Sequence, residues 1–140
     1  MSKYFSLKEM TASETAKTQK IENIPPYEVE QNLKELMGVL DCFREYYGHP
    51  VRVSSGYRGQ LLNKIVGGSP TSAHCIGYAA DLQPIEGTFE NFKGMFLEWL
   101  GTGIHYDQCI IERSKSSEWV HFGLYNREGK QRMQHFSMDA

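Results

Sequence analysis

His74 and Asp81 are the pair in this chain best suited to share a small ion, and the residues between them say how they would meet. They lie seven positions apart in Ser72–Ala73–His74–Cys75–Ile76–Gly77–Tyr78–Ala79–Ala80–Asp81. Fully extended, that spacing covers roughly 23 Å; in a continuous helix it is about 10 Å of axial rise. Neither brings two side chains to one ion, so the chain must turn between them, and Gly77 turns at the least steric cost. The expectation is a histidine on a loop and an aspartate on a short strand, converging. Imidazole nitrogen and carboxylate oxygen both bind zinc at about 2.0–2.2 Å. A third donor is expected further along, from His121 in Glu118–Trp119–Val120–His121–Phe122. Two imidazoles and one carboxylate leave a zinc position open for water, which is the catalytic arrangement.

Ser72-x-His74-x-x-Gly77-x-Ala79-x-Asp81, followed by Trp119-x-His121, resembles the zinc D-Ala-D-Ala carboxypeptidase-like peptidases, the M15 group. That group includes phage endolysins and vancomycin-resistance-type D-Ala-D-Ala dipeptidases, and the hedgehog signalling domain shares its scaffold. The resemblance extends from about Tyr4 to Arg127. It implies a Zn2+ site on His74, Asp81 and His121 and a peptidoglycan stem peptide as substrate. With the brief N-terminal arm, it also implies a phage or prophage lytic enzyme or a domesticated relative. The alternative on the same scaffold is a non-catalytic zinc-containing recognition module, or a phage tail or structural component.

The resemblance also assigns roles beyond the ligands. Ser54–Ser55–Gly56–Tyr57–Arg58 resembles the family segment ahead of the metal loop, whose arginine holds a substrate carboxylate or polarises the scissile carbonyl. A guanidinium suits either task, being permanently charged with a fixed fork of donors. Ser72 is expected to touch substrate or to orient the loop. For the general base there are two candidates. Glu118 resembles the Glu-x-x-His arrangement of the dipeptidases; Glu112 resembles the glutamate ending a strand in hedgehog-like members. An uninterrupted strand puts residues 118 and 121 on opposite faces, so Glu118 needs a bulge, whereas Glu112 can face His121 across a hairpin without one. Both remain candidates at this point, one of them being a solvated hairpin carboxylate. Gln108 alternates with Ile110 and Glu112 and is expected to line the cleft, and Trp119 to wall the pocket.

The elements that must position these residues are readable in outline. Val29, Leu33, Leu36, Met37, Leu40 and Phe43 recur at three- and four-residue spacing, predicting an amphipathic helix over Tyr27–Tyr46. Val51–Val53 reads as a short strand, Leu61–Ile65 as a short helix, and Ala79–Leu82 as a central strand. Thr88 is placed to cap a second amphipathic helix carrying Phe89, Phe92, Phe96, Trp99 and Leu100. Asp107–Glu112 and Glu118–Gly123 read as a hairpin. Residues 1–26 read as an N-terminal arm, with Thr11-x-x-Glu14 a capping-box signature. Residues 126–140 read as a polar, weakly patterned tail. The fold class is α+β: a small, mostly antiparallel sheet with helices packed on it, in one domain.

Composition closes off other classes. Over 140 residues the apolar content is 40% and the charged content 23%, which is globular rather than disordered. A net charge of −2 without a basic block gives no footing for nucleic acid. Three cysteines, Cys42, Cys75 and Cys109, lack Cys-x-x-Cys spacing, against a disulfide framework or thiolate cluster. No segment reaches membrane-spanning length and no signal peptide follows Lys3 and Lys8. The expectation is a monomer, cytoplasmic as synthesised, acting on the cell wall if released or exported.

Overall fold

The computed structural model describes residues 2–139. Met1 and Ala140, the ends of the expected arm and tail, lie outside that range. Two short helices, α1 (Leu7–Thr11) and α2 (Glu14–Thr18), build the N-terminal arm. Their caps are not the expected ones. Ser6 and Glu9 form the capping box of α1, and Ser13 caps α2 by accepting from the Ala16 amide. Thr11 and Glu14 instead end one helix and begin the next. Two successive Ser/Thr-x-x-Glu signatures were available, and which serine or threonine caps depends on where the chain leaves the helical region.

The long helix α3 runs Tyr27–Tyr47, entered through Pro26 and closed by Gly48 in the left-handed region. Strand β1 (Val51–Ser55), helix α4 (Gln60–Ile65), a single 3-10 turn (Ala73–Ile76), strand β2 (Ala79–Pro84) and helix α5 (Phe89–Leu100) follow. Thr88 caps α5, its hydroxyl accepting from the Asn91 amide. The hairpin is β3 (Gln108–Arg113) and β4 (Glu118–Gly123). The five-stranded sheet has the order β1-β2-β4-β3-β5, where β5 is Gln134–Asp139. All pairings are antiparallel except β3 with β5.

The two faces of this sheet have different work. Ala80 and Leu82 of β2, Val120 and Phe122 of β4 and Cys109 of β3 are fully buried together with Leu33, Leu36, Leu40 and Phe43 of α3 and Phe92, Phe96 and Trp99 of α5. Phe96 stands at 4.4 Å from Phe43 and 5.6 Å from Phe122, ring centre to ring centre, so one aromatic cluster ties both helices to the sheet. The alternate residues of the same strands face the other way, where the functional side chains gather.

Strand β5 is the part of the fold that sequence pattern did not show. The tail is polar as expected, but it is regular backbone. All six of its residues are exposed, so burial leaves no periodic trace. Its order comes from pairing with the β3 edge and from a clamp at its base. There the Arg132 guanidinium donates to both oxygens of buried Asp107 at 2.8 Å each, and the Arg132 amide donates to the same carboxylate at 3.1 Å.

Burial pushes the Asp107 carboxyl upward, but the hydrogen bonds and charge of Arg132 outweigh it and hold the group below the ordinary aspartate value. A depressed folded value means stability that is present above the unfolded value, near pH 4, and lost as pH falls through the folded one. The guanidinium is 44% exposed, so Arg132→Ala is expected to cost about 1–3 kcal/mol at neutral pH, less than a fully buried pair. Urea midpoints should show the gap to the unmodified protein narrowing on acidification below about pH 4, and amide exchange in β5 should accelerate in the variant.

Candidate metal centre and cleft

The register of β2 against β4 sets Asp81 directly opposite His121. His121 Nδ1 lies 3.0 Å from Asp81 Oδ1. His74 arrives from the 3-10 turn, with its Nε2 at 3.3 Å from the same oxygen. Gly77 ends that turn at φ +82°, and a Cβ there would stand 2.7 Å from the Val29 carbonyl oxygen. Both its conformation and its contact with α3 therefore require glycine. The turn between His74 and Asp81 is as the spacing required.

Each donor is oriented by its surroundings. His74 Nδ1 is 2.7 Å from the Gly56 carbonyl oxygen. A carbonyl can only accept, so Nδ1 carries the proton and Nε2 keeps its lone pair for a metal. The Gly56 segment is itself held from several sides. The Tyr57 amide donates to the Met10 carbonyl at 2.6 Å and the Arg58 amide to the His74 carbonyl at 3.1 Å. Asn23 donates from Nδ2 to the carbonyls of Thr11 and Tyr57, and its Oδ1 accepts from the Gly59 amide. A Cβ on Gly56 would collide with the Met10 carbonyl. The N-terminal arm thus supports the ligand His74 through one peptide group. Neither Asn23 nor Met10 was singled out in sequence, and a lone asparagine ahead of Ile24–Pro25–Pro26 carries no signal for it.

Charge is concentrated at Asp81. Burial pushes its carboxyl upward, but the two imidazoles overcome this and hold it well below the usual carboxylate range. At His74 burial dominates and lowers the imidazole value. At His121 burial acts the same way, yet the Asp81 hydrogen bond and charge, with a further contribution from Glu112, raise it on balance.

The three donor atoms lie within 4.8 Å of one another. In a tetrahedral site with bonds of about 2.0–2.2 Å, neighbouring donors stand about 3.4 Å apart. The 3.0 and 3.3 Å separations to Asp81 match that edge, so the residues fit a divalent metal with mixed nitrogen and oxygen ligands. No cysteine belongs to the group.

These side chains lie in a cleft of about 610 Å³ that also takes in Arg58, Ser72, Gln108, Ile110, Glu112 and Trp119. Ser72 N-caps the 3-10 turn through the His74 amide and receives Arg58 Nη2 at 3.5 Å, so it orients the loop and faces the cleft together. Arg58 Nε is buried without a partner. Glu112 and Trp119 are paired across the hairpin, and the indole Nε1 donates to Glu112 Oε1 at 2.6 Å. Glu118 is elsewhere. β4 has no bulge at its start, Glu118 pairs with Arg113 on the opposite face from His121, and it lines a separate depression beside the Ser114–Ser117 loop. His105 and His135 are exposed and lie apart from this group.

Protein purified without chelator is expected to carry about one zinc per chain, from the one three-donor group among the described residues. His74→Ala, Asp81→Ala and His121→Ala should each lower the metal content measured by elemental analysis. Acidification should release it as the histidines take up protons. Unchanged metal content in all three variants would overturn the donor assignment.

Among the described residues no helix is long and apolar enough to cross a membrane. No curated protein matches the chain. A family model described as Peptidase M15 matches residues 3–122, a span that takes in all three donors, Arg58 and both glutamates and stops before β5. The match covers most of the sequence and coincides with the donor geometry: the chain belongs to the peptidase M15 family.

Proposed function

We propose that this protein is a zinc-dependent peptidase acting on peptidoglycan stem peptides, of the carboxypeptidase or endolysin kind, with Glu112 as general base. The observation that carries the reading is the convergence of His74, Asp81 and His121 on the floor of a cleft that also contains Glu112 and Arg58. Zinc held by those three side chains supplies Lewis acidity toward a peptide carbonyl and lowers the pKa of water.

The remaining work falls to the chain's own residues. Trp119 occupies Glu112 Oε1 and fixes the carboxylate plane, leaving Oε2 to take a proton from the attacking water and return it to the leaving amine. Glu118, committed to Arg113 on the other face, has no part in this. Arg58 lines the cleft and gives it a permanently charged donor for a substrate carboxylate or for the scissile carbonyl. The likeness of the Ser72–Asp81 and Trp119–His121 patterns to D-Ala-D-Ala carboxypeptidase-like enzymes supports stem peptides as the substrate class and a phage-type lytic role.

The test is turnover of defined muropeptides by zinc-loaded protein, followed by mass analysis. Glu112→Gln is expected to keep its fold and metal while losing about 100-fold or more in rate. Glu118→Gln should be near neutral. Equal activity in both variants and the unmodified protein would remove the assigned base.

Arg58 separates two modes of action. If it grips a free C-terminal carboxylate, Arg58→Ala cuts efficiency on such a substrate by about 30- to 1000-fold, the equivalent of roughly 2–4 kcal/mol. The amidated peptide would then be a poor substrate and indifferent to the mutation. Equal losses on both peptides would assign Arg58 to the scissile carbonyl and the enzyme to the endopeptidases.

A further inference from the structure

The cleft face of the sheet continues past the metal residues onto β5. Register places Ile110 beside His121 and Phe136 beside Ile110, while Met138 stands beside Glu112 in the neighbouring row. Ile110 is buried, whereas Phe136 and Met138 are 44% and 45% exposed. Ile110 and Met138 line the same cleft as the three donors. Strands lie about 4.8 Å apart, so this apolar strip begins one strand from His121 and ends about 10 Å from it, at an open sheet edge. Nothing on the helix-packed side of the sheet explains two large apolar side chains on an otherwise polar tail, because both point away from it.

We propose that Ile110, Phe136 and Met138 form a specificity subsite for a long aliphatic side chain with a polar tip. In a stem peptide this is the lysine-type diamino residue, so the inference rests on the substrate class proposed above. A strip that is apolar along its length and open to water at its outer end suits such a side chain, whose methylenes lie on apolar surface while the charged end stays solvated. The Asp107–Arg132 clamp fixes the strand that carries the strip.

The probe is the pentapeptide L-Ala-D-isoGln-L-Lys-D-Ala-D-Ala, compared with the same peptide carrying 2,3-diaminopropionate for lysine. The pair keeps the amine and differs by three methylenes, which half covered correspond to roughly a tenfold preference for lysine. Affinity is read by calorimetry on the Glu112→Gln protein and turnover by mass analysis on the protein with Glu112 intact. Each is repeated with Phe136→Ser and Met138→Ser, which are exposed positions outside the core, and with Met138→Leu, which keeps an apolar side chain. The preference should fall toward unity in both serine variants and survive in the leucine variant. An unmodified strip without preference, or serine variants that retain it, would overturn the subsite. Lysine-selective binding that vanishes in the serine variants while neither peptide is cut would uphold the strip and remove the peptidase reading.

Discussion

The pairing of β2 with β4 is the constraint on which the site depends. Asp81 faces His121 because Ala80 and Leu82, on the reverse of the same strand, are packed with Phe122 and Val120 in the core. A slip of β2 by one residue would turn Asp81 into the core and Ala80 and Leu82 out of it. The hydrophobic effect acting on one face of the sheet therefore sets the geometry of polar groups on the other. No interaction within the metal site has to fix that register, and the site can carry the cost of a buried carboxylate between two imidazoles.

The third ligand depends on a different kind of support. His74 comes from a 3-10 turn with little regular structure around it, and its ring is held by the Gly56 carbonyl. That peptide is braced in turn by the Met10 carbonyl, and the next carbonyl along, that of Tyr57, by Asn23, both residues remote in sequence. The arrangement orients the ligand through the group hydrogen-bonded to its far nitrogen, which tunes both tautomer and basicity. The N-terminal arm is part of the site's framework, although none of its described side chains lines the cleft.

The cleft itself divides between two layers of the fold. Sheet residues supply Asp81, His121, Glu112 and Trp119 in fixed rows, while the 3-10 turn and the segment after β1 supply His74, Ser72 and Arg58. Electrostatics follow that division. The ionised Asp81 raises His121 across the ladder, while the more deeply enclosed His74 is governed by burial.

Much of this was legible in the order of residues. Helical spacing gave α3 and α5, alternation gave the hairpin, and seven residues with one glycine required the turn that brings His74 to Asp81. Period-two alternation also separated Glu112 from Glu118 in principle, since only a bulge could have put Glu118 beside His121. Whether that bulge existed was decided by the hairpin register, which no local pattern encodes. Strand β5 was invisible because its six residues are all exposed and leave no hydrophobic period; backbone pairing with β3 and one half-exposed ion pair order it. The same holds for the bracing of the Gly56 segment by Asn23 and Met10. Sequence by itself determined which residues could bind a metal and which core-packed stretches are helix or strand, because those follow from side-chain chemistry and local periodicity. Tertiary structure alone decided which distant backbone groups meet, because hydrogen bonds between peptide groups do not depend on the side chains they carry.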